Sequence, residues 1–228
     1  MLVLALDTAT PATTVALVRR EDATVQPDGA SDEVLAEDVH VDPRRHAEVL
    51  MPMVDAVLAA AGVDRRDLAR VVAGVGPGAY TGLRVGVATA QALGVALGIP
   101  VLGAVTLDAL AVGSGLRERP FAVVTDARRR EVFWARYDEH GRRTSGPDVG
   151  APGVVAQELR GLPVVGAAAT PFAEQFEDVT GPDLPSARWL PTAAARAGAV
   201  DVRPLYLRRP DVTLPTPPGG AAAPDPAP

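Results

Sequence analysis

A mixed α/β fold in two lobes is what this sequence predicts: a mixed sheet flanked by helices, with a second, reduced lobe after it. Three observations carry the expectation. Short strand-like apolar runs alternate with longer stretches of helical period. Three strand-like runs follow one another before the first helix, which calls for a meander at the start of the sheet. The pattern then restarts near Thr106. With 228 residues and 47% apolar composition, the chain can build one large core or two small ones.

The elements follow in order. LVLALD reads as a strand, Thr8–Ala12 as a turn containing Pro11, TTVALVRR as a second strand and VLAEDVHV as a third. A helix comes next, with Asp42 as its expected cap and Pro43 in its first turn. Its apolar stripe is Leu50, Val54, Val57, Leu58 and Ala61, Gly62 stops it, and Pro52 lies inside it. After the short turn DRRDLA come the strand RVVAGV, a glycine-rich loop, the helix TGLRVGVATAQALGVALG and the strand pattern IPVLGAV. Three strands followed by helix, strand, helix, strand suit the ribonuclease-H-like half of the actin and hexokinase superfamily, an actin-like/ribonuclease-H-like fold. Residues 1–103 are the expected first lobe. LDALAVG then reads as helix and RPFAVVTDAR with EVFWARYDE as a hairpin, and short elements complete a smaller lobe over 104–208. The Pro/Gly/Ala-rich stretch 209–228 is expected to be a disordered tail, having too few large apolar groups to order itself.

Composition excludes several chemistries. There is no cysteine, so disulfides, thiolate zinc sites and a cysteine nucleophile are ruled out. All 22 basic residues are arginine, which removes Schiff-base lysines and lysine-dependent phosphate loops. The net charge of −6 argues against nucleic acid as the principal partner; Arg142-Arg143 and Arg128-Arg129-Arg130 are local candidates for phosphate contacts, with solvated surface charge the favoured reading. No apolar run approaches the ~20 residues of a membrane span. The start MLVLALDTAT lacks a basic n-region and reaches Asp7 early, so the expected location is cytoplasmic, without membrane association.

The loop in VVAGVGPGAYTGLRVG, residues 71–86, poses the main functional question. A Walker A loop requires Gly-Lys-Ser/Thr, and no lysine exists. Gly74, Gly76 and Ala79 fit a dinucleotide fingerprint, but no Asp or Glu occurs between Asp67 and Asp108 to hold a ribose, and Pro77 removes an amide from the cradle. The alternative is a tight turn with close helix packing. Gly82, Gly86, Ala90, Gly94 and Gly98 recur every fourth residue, forming one stripe of small residues with Leu83, Val87 and Leu93 at its flanks. Glycine inside a helix costs roughly 0.5–1 kcal/mol relative to alanine, so such a stripe points to close approach of a helix, in the same lobe or in another chain. Thr81 is the expected N-cap, leaving Tyr80 and Arg84 available to a partner.

GPGAYTGLRVG closely resembles the signature G-P-G-S-F-T-G-L-R-I-G of the bacterial TsaB (YeaZ) family. LALDTAT, HAEVLMPMV, GIPVLGAVTLDALA, DARRREVFWA and PLYLR extend the resemblance in order over about residues 1–208; Ala79 and Tyr80 replace Ser and Phe. The resemblance implies a dimerisation subunit, with no cofactor and no catalytic residue of its own. It would pair with a TsaD-like catalytic subunit, alongside a TsaE-like ATPase, to place threonylcarbamoyl on the adenosine beside the anticodon of tRNAs reading ANN codons. Homodimers would use the same surface, and tRNA would be met only through the complex. The implied interface is segments 44–61 and 81–97: His46, Leu50, Met53, Val54 and Val57 on the first helix, and Tyr80, Thr81, Gly82, Leu83, Arg84, Gly86, Val87, Ala90 and Gly94 on the second.

Residue chemistry is consistent with that implication. The TsaD-type enzyme holds a metal on two histidines four apart on a helix; here His40, His46 and His140 have no such spacing, and the matching region VTLDALAVG offers only Asp108. Asp7 is a weak candidate for nucleotide binding, since an Asp ends the first strand in actin-like ATPases; a turn-stabilising role is the favoured one, and for Asp126 likewise. His46 and Glu48 point apart on a helix, so His46 is expected at a surface or interface rather than in acid–base work. No G-x-S-x-G elbow occurs. The competing readings are an actin-like ATPase or small-molecule kinase, and a binding module with a different partner.

Overall fold

The computed structural model describes residues 1–21 and 32–208; the stretch 209–228, expected to be a disordered tail, lies outside the described residues. β1 (Leu2–Asp7), β2 (Ala12–Arg19) and β3 (Glu33–Val41) form the expected antiparallel meander. β4 (Leu68–Gly74) and β5 (Val101–Ala104) join in parallel on the other side of β1, giving the order β3-β2-β1-β4-β5. A second sheet holds β6 (Phe121–Asp126), β7 (Val132–Tyr137), β8 (Arg143–Gly150), β9 (Pro163–Val165) and β10 (Asp178–Thr180), in the order β10-β9-β6-β7-β8. Again the first three strands are antiparallel neighbours and the last two are parallel. The two sheets therefore repeat one topology, as a mixed α/β fold of this class requires.

Among the described residues, five α-helices separate and cover the sheets: α1 (His46–Ala61), α2 (Tyr80–Leu97), α3 (Thr106–Gly113), α4 (Pro152–Glu158) and α5 (Leu190–Ala197). Alternation along β1 and β2 divides the first sheet cleanly. Leu4, Leu6, Val15 and Leu17 pack under Leu50, Val54, Val57, Ala90 and Leu93 of α1 and α2. Val3, Ala5, Ala16 and Val18 on the opposite face pack against Ala109 of α3 and Leu190, Ala193 and Ala194 of α5. The other side of α3 places Leu107 and Leu110 on Phe121, Val123 and Tyr137 of the second sheet. α4 closes the far face through Val155, with Leu159 just after the helix, against Val124, Val132 and Trp134. Each fully buried leucine contributes about 1.5–3 kcal/mol.

The structure departs from the sequence reading in four places. α1 begins at His46, because Asp42 accepts the Arg44 amide at 2.9 Å and closes a turn of its own instead of capping the helix. α2 begins at Tyr80 with Ala79 in the cap position, which leaves Thr81 exposed inside the first turn. RTSGPDVG forms the edge strand β8, whose pattern is exposed and polar and whose Pro147 is tolerated at an edge. The fourth departure concerns the boundary between lobes. The chain from about 187 onward returns to the first sheet: α5 covers its inner face, Val200 bridges Gly103, and the Leu205 amide bonds the Val75 carbonyl at 2.8 Å. A linear split at 103/104 does not describe that return.

Candidate functional site

Asp7, His46 and Gly82 meet where the β1–β2 turn approaches the first turns of α1 and α2, while Val57, Ala90 and Gly94 lie further along those helices. Asp7, at the end of β1, is 1% exposed. Its Oδ1 accepts the Ala9 amide at 2.7 Å and its Oδ2 accepts the Thr106 hydroxyl at 2.6 Å. Burial pushes its carboxyl up to about 6, against the opposing pull of those two bonds. Gly74 lies so close that a Cβ there would overlap the Asp7 carboxylate. Asp7 is thus buried, with both carboxylate oxygens bonded within the chain.

The glycine loop is closed in the same manner. The Gly76 amide bonds the Thr106 hydroxyl at 3.2 Å, the Thr106 amide returns a bond to the Gly76 carbonyl at 2.8 Å, and the Ala79 amide bonds the Ala9 carbonyl at 3.2 Å. A Cβ on Gly78 would meet the Ala9 carbonyl oxygen at 2.2 Å, and Gly76 has φ +96, so both need glycine. The Gly76 and Ala79 amides are thus taken up by the protein itself.

The small-residue stripe of α2 faces inward, which corrects its assignment to a partner surface. A Cβ on Gly82 would come within 2.9 Å of the His46 ring and the Thr8 carbonyl; on Gly86, within 2.5 Å of the Thr8 hydroxyl; on Gly94, within 2.2 Å of Val101. Thr8 donates its hydroxyl to the Gly82 carbonyl at 2.7 Å and receives the Gly86 amide at 3.0 Å, joining a carbonyl and amide four residues apart on α2. Leu83, Val87 and Ala90 are buried in the chain's own core, as are Leu50, Met53, Val54 and Val57 of α1. His46 is likewise 6% exposed rather than superficial. Its Nδ1 shares a hydrogen with Thr13 Oγ1 at 2.7 Å, and burial first, with His40 adding to it against Asp42, holds its pKa below the ordinary value. It does not meet Glu48, which pairs with Arg45 at the surface.

What α1 and α2 present outward is a different set. Pro52, Ala56, Ala59 and Ala60 are exposed on α1, and Ala88, Ala92, Val95 and Ala96 on α2, with Val95 86% exposed. Both sets recur at spacings of three and four, so each forms one face. Sequence reasoning missed this face because the inward stripe carried the more conspicuous glycines. Tyr80 and Arg84 at the start of α2 are engaged by the chain's own C-terminal segment. The Tyr80 ring stacks on Tyr206 at 4.0 Å with 5° between planes, and Arg84 Nε donates to the Tyr206 hydroxyl at 2.7 Å.

Residues 33–167 match the family model described as TsaD: tRNA N6-adenosine threonylcarbamoyltransferase. An uncharacterized protein of Mycobacterium tuberculosis is 47% identical, over 92% of each chain. The tRNA threonylcarbamoyladenosine biosynthesis protein TsaB of Escherichia coli is 37% identical over 62% of this chain and 58% of that one. The solved structure of YeaZ from Pseudomonas aeruginosa aligns with a TM-score of 0.69 and 31% identity, covering 90% of this chain and 99% of that one. The chain belongs to the TsaB (YeaZ) family. In this TsaB-family chain Asp108 lies on α3 between the sheets, accepting the Tyr137 hydroxyl at 2.8 Å and Arg143 Nε at 3.0 Å. Burial raises its carboxyl pKa, and Arg143 opposes that. Asp126 accepts the Arg128 amide at 2.7 Å and opens the β6–β7 turn, in which Arg128, Arg129 and Arg130 all have positive φ. Among the described residues, no three His, Asp or Glu side chains gather as a metal cage.

Proposed function

We propose that this TsaB-family chain is a non-catalytic dimerisation subunit in tRNA threonylcarbamoyladenosine biosynthesis. In this reading it binds and activates a TsaD-like threonylcarbamoyltransferase that works with a TsaE-like ATPase, and self-association uses the same surface. The observation that carries the proposal is the outward face of α1 and α2, where small apolar side chains stand exposed on two adjacent helices. Small side chains let two backbones approach, and an apolar face on a protein rich in surface charge marks an interaction site. The interface segments 44–61 and 81–97 stay as proposed, but their contact residues move from the inward stripe to the opposite faces. The enclosed Asp7 and the closed glycine loop support a supporting role over an actin-like ATPase or kinase.

The deciding experiment combines the purified chain with the TsaD-like and TsaE-like proteins of the same organism and follows tRNA modification and ATP turnover. Modification only in the full mixture, and none of either activity from the lone chain, is expected. Nucleotide turnover by the lone chain would overturn the proposal and favour the kinase or ATPase reading.

A further inference from the structure

On a protein of net charge −6, one groove beside the second sheet is lined by arginine. Arg117, His140, Arg142 and Arg196 line a hollow of about 360 Å³. A second hollow of about 220 Å³ shares Arg142 and Arg196 with it and runs on to Asp108 and Arg143. These side chains come from distant parts of the chain: the loop between α3 and β6, the β7–β8 turn, the first residue of β8 and the last turn of α5. The fold, not local sequence, has gathered them.

Three acids stand in or beside the groove, each with a partner of its own. Asp108 is matched by Arg143, which also donates to the Gly146 carbonyl at 2.7 Å. Asp138 turns Oδ1 to the amides of His140 and Arg142, at 2.9 and 2.8 Å. Glu139 lies 3.8 Å from His140. Arg117 lies over the turn at Gly141, where a Cβ would come 3.2 Å from its Nη1. Among the described residues, neither Arg142 nor Arg196 has a carboxylate within ion-pair distance. The Arg196 Nε is buried without a hydrogen-bond partner.

Guanidinium groups in excess over carboxylates, in a groove of two joined hollows, suit an extended chain of phosphates better than one small anion. Of the residues lining the first hollow only His140 offers a ring for stacking, and the three arginines present donors suited to backbone phosphates. We propose that this groove binds the phosphodiester backbone of RNA. The choice of RNA, and of tRNA in particular, rests on the function proposed above; the demand for repeated phosphates rests on the groove alone.

The test compares the full chain with Arg142→Glu/Arg196→Glu. Arg143 is left intact, because its loss would strand buried Asp108. Fluorescence anisotropy of a labelled tRNA transcript, across a salt series, reads the affinity. The double variant is expected to bind at least tenfold more weakly at low salt. The slope of log K against log salt should fall by about 1.5, since each lost phosphate contact removes roughly 0.7–0.9. A control of equal charge change away from the groove, Arg66→Glu/Arg160→Glu, is expected to keep the wild-type slope. The neutral pair Arg142→Gln/Arg196→Gln should fall midway, and decides the matter if the reversed pair unfolds. Equal tRNA binding by wild type and groove variants, absent binding included, overturns the groove. So does a loss confined to co-elution with the TsaD-like protein, which would mark an acidic protein partner. Failure of the wild-type mixture to modify tRNA overturns the scaffold reading alone, and the binding comparison still judges the groove.

Discussion

Asp7 illustrates how a residue can look chemical and be structural. Its carboxylate is enclosed, accepts two hydrogen bonds and is pushed up to about 6 by burial. The folded form therefore holds a proton that the unfolded chain has lost between about pH 3.8 and 6. Stability from this group falls as pH rises through that window and is flat above it. Measured as wild type minus Asp7→Asn by urea denaturation, the difference should decline by about 2.4 kcal/mol from pH 4 to pH 7, one pKa unit being worth about 1.4 kcal/mol. A pH-independent difference would show that Asp7 is solvated. His46 works oppositely: its folded pKa is lowered, so its contribution is lost as pH falls below the ordinary histidine value. Gly86→Ala tests the Thr8 contact. It should destabilise by about 1–3 kcal/mol through overpacking without changing self-association at permissive temperature. A neutral effect on folding with loss of association would return the stripe to the interface.

At the scale of elements, α1 and α2 each have two faces with separate tasks. The inner faces lock to β1, β2 and β4, with Thr8 and His46 joining the two helix starts. The outer faces carry alanines and Val95. Ala92→Arg/Val95→Arg is expected to leave the melting temperature within about 2 °C, as surface substitutions usually do. The same pair should abolish self-association in analytical ultracentrifugation and co-elution with the TsaD-like protein. Unchanged association would place the interface elsewhere. α3 is held between sheets by Asp108, Tyr137 and Arg143. Asp108→Ala would leave the buried Tyr137 hydroxyl without its acceptor and Arg143 with only the Gly146 carbonyl, costing about 1–3 kcal/mol in chemical denaturation.

For the whole molecule, the return of the chain after the second sheet is decisive. α5 supplies Leu190, Ala193 and Ala194 to the inner face of the first sheet, and Leu205 pairs with Val75. A fragment ending at residue 104 should therefore expose Val3, Ala5, Ala16 and Val18. Near-ultraviolet circular dichroism and dye binding are expected to report a loosely packed or aggregating species. A cooperative, soluble fragment would show that the first lobe stands alone.

Much of this was legible in residue pattern. Period-two alternation in LVLALD and TTVALVRR, the glycine stops at Gly62 and Gly98 and the order of strands and helices all follow from local physics: side-chain direction, backbone freedom and helical period. The absence of lysine and cysteine excluded whole chemistries from composition alone. Other features depend on what lies across a gap. Gly82, Gly86 and Gly94 announced a close approach, but a helical stripe has no label for its neighbour, and only packing against Thr8, His46 and Val101 turned it inward. β8 was hidden because an exposed edge strand needs no apolar alternation. Arg117, Arg142 and Arg196 are separated by dozens of residues, and no local rule brings them to one groove. By itself, then, the sequence determined the class, the order of elements and the missing chemistry, since each rests on neighbours within a few residues. Which faces turn inward, how the chain returns to its first sheet and where its arginines gather were decided only by tertiary structure, because burial is a property of the assembled surface.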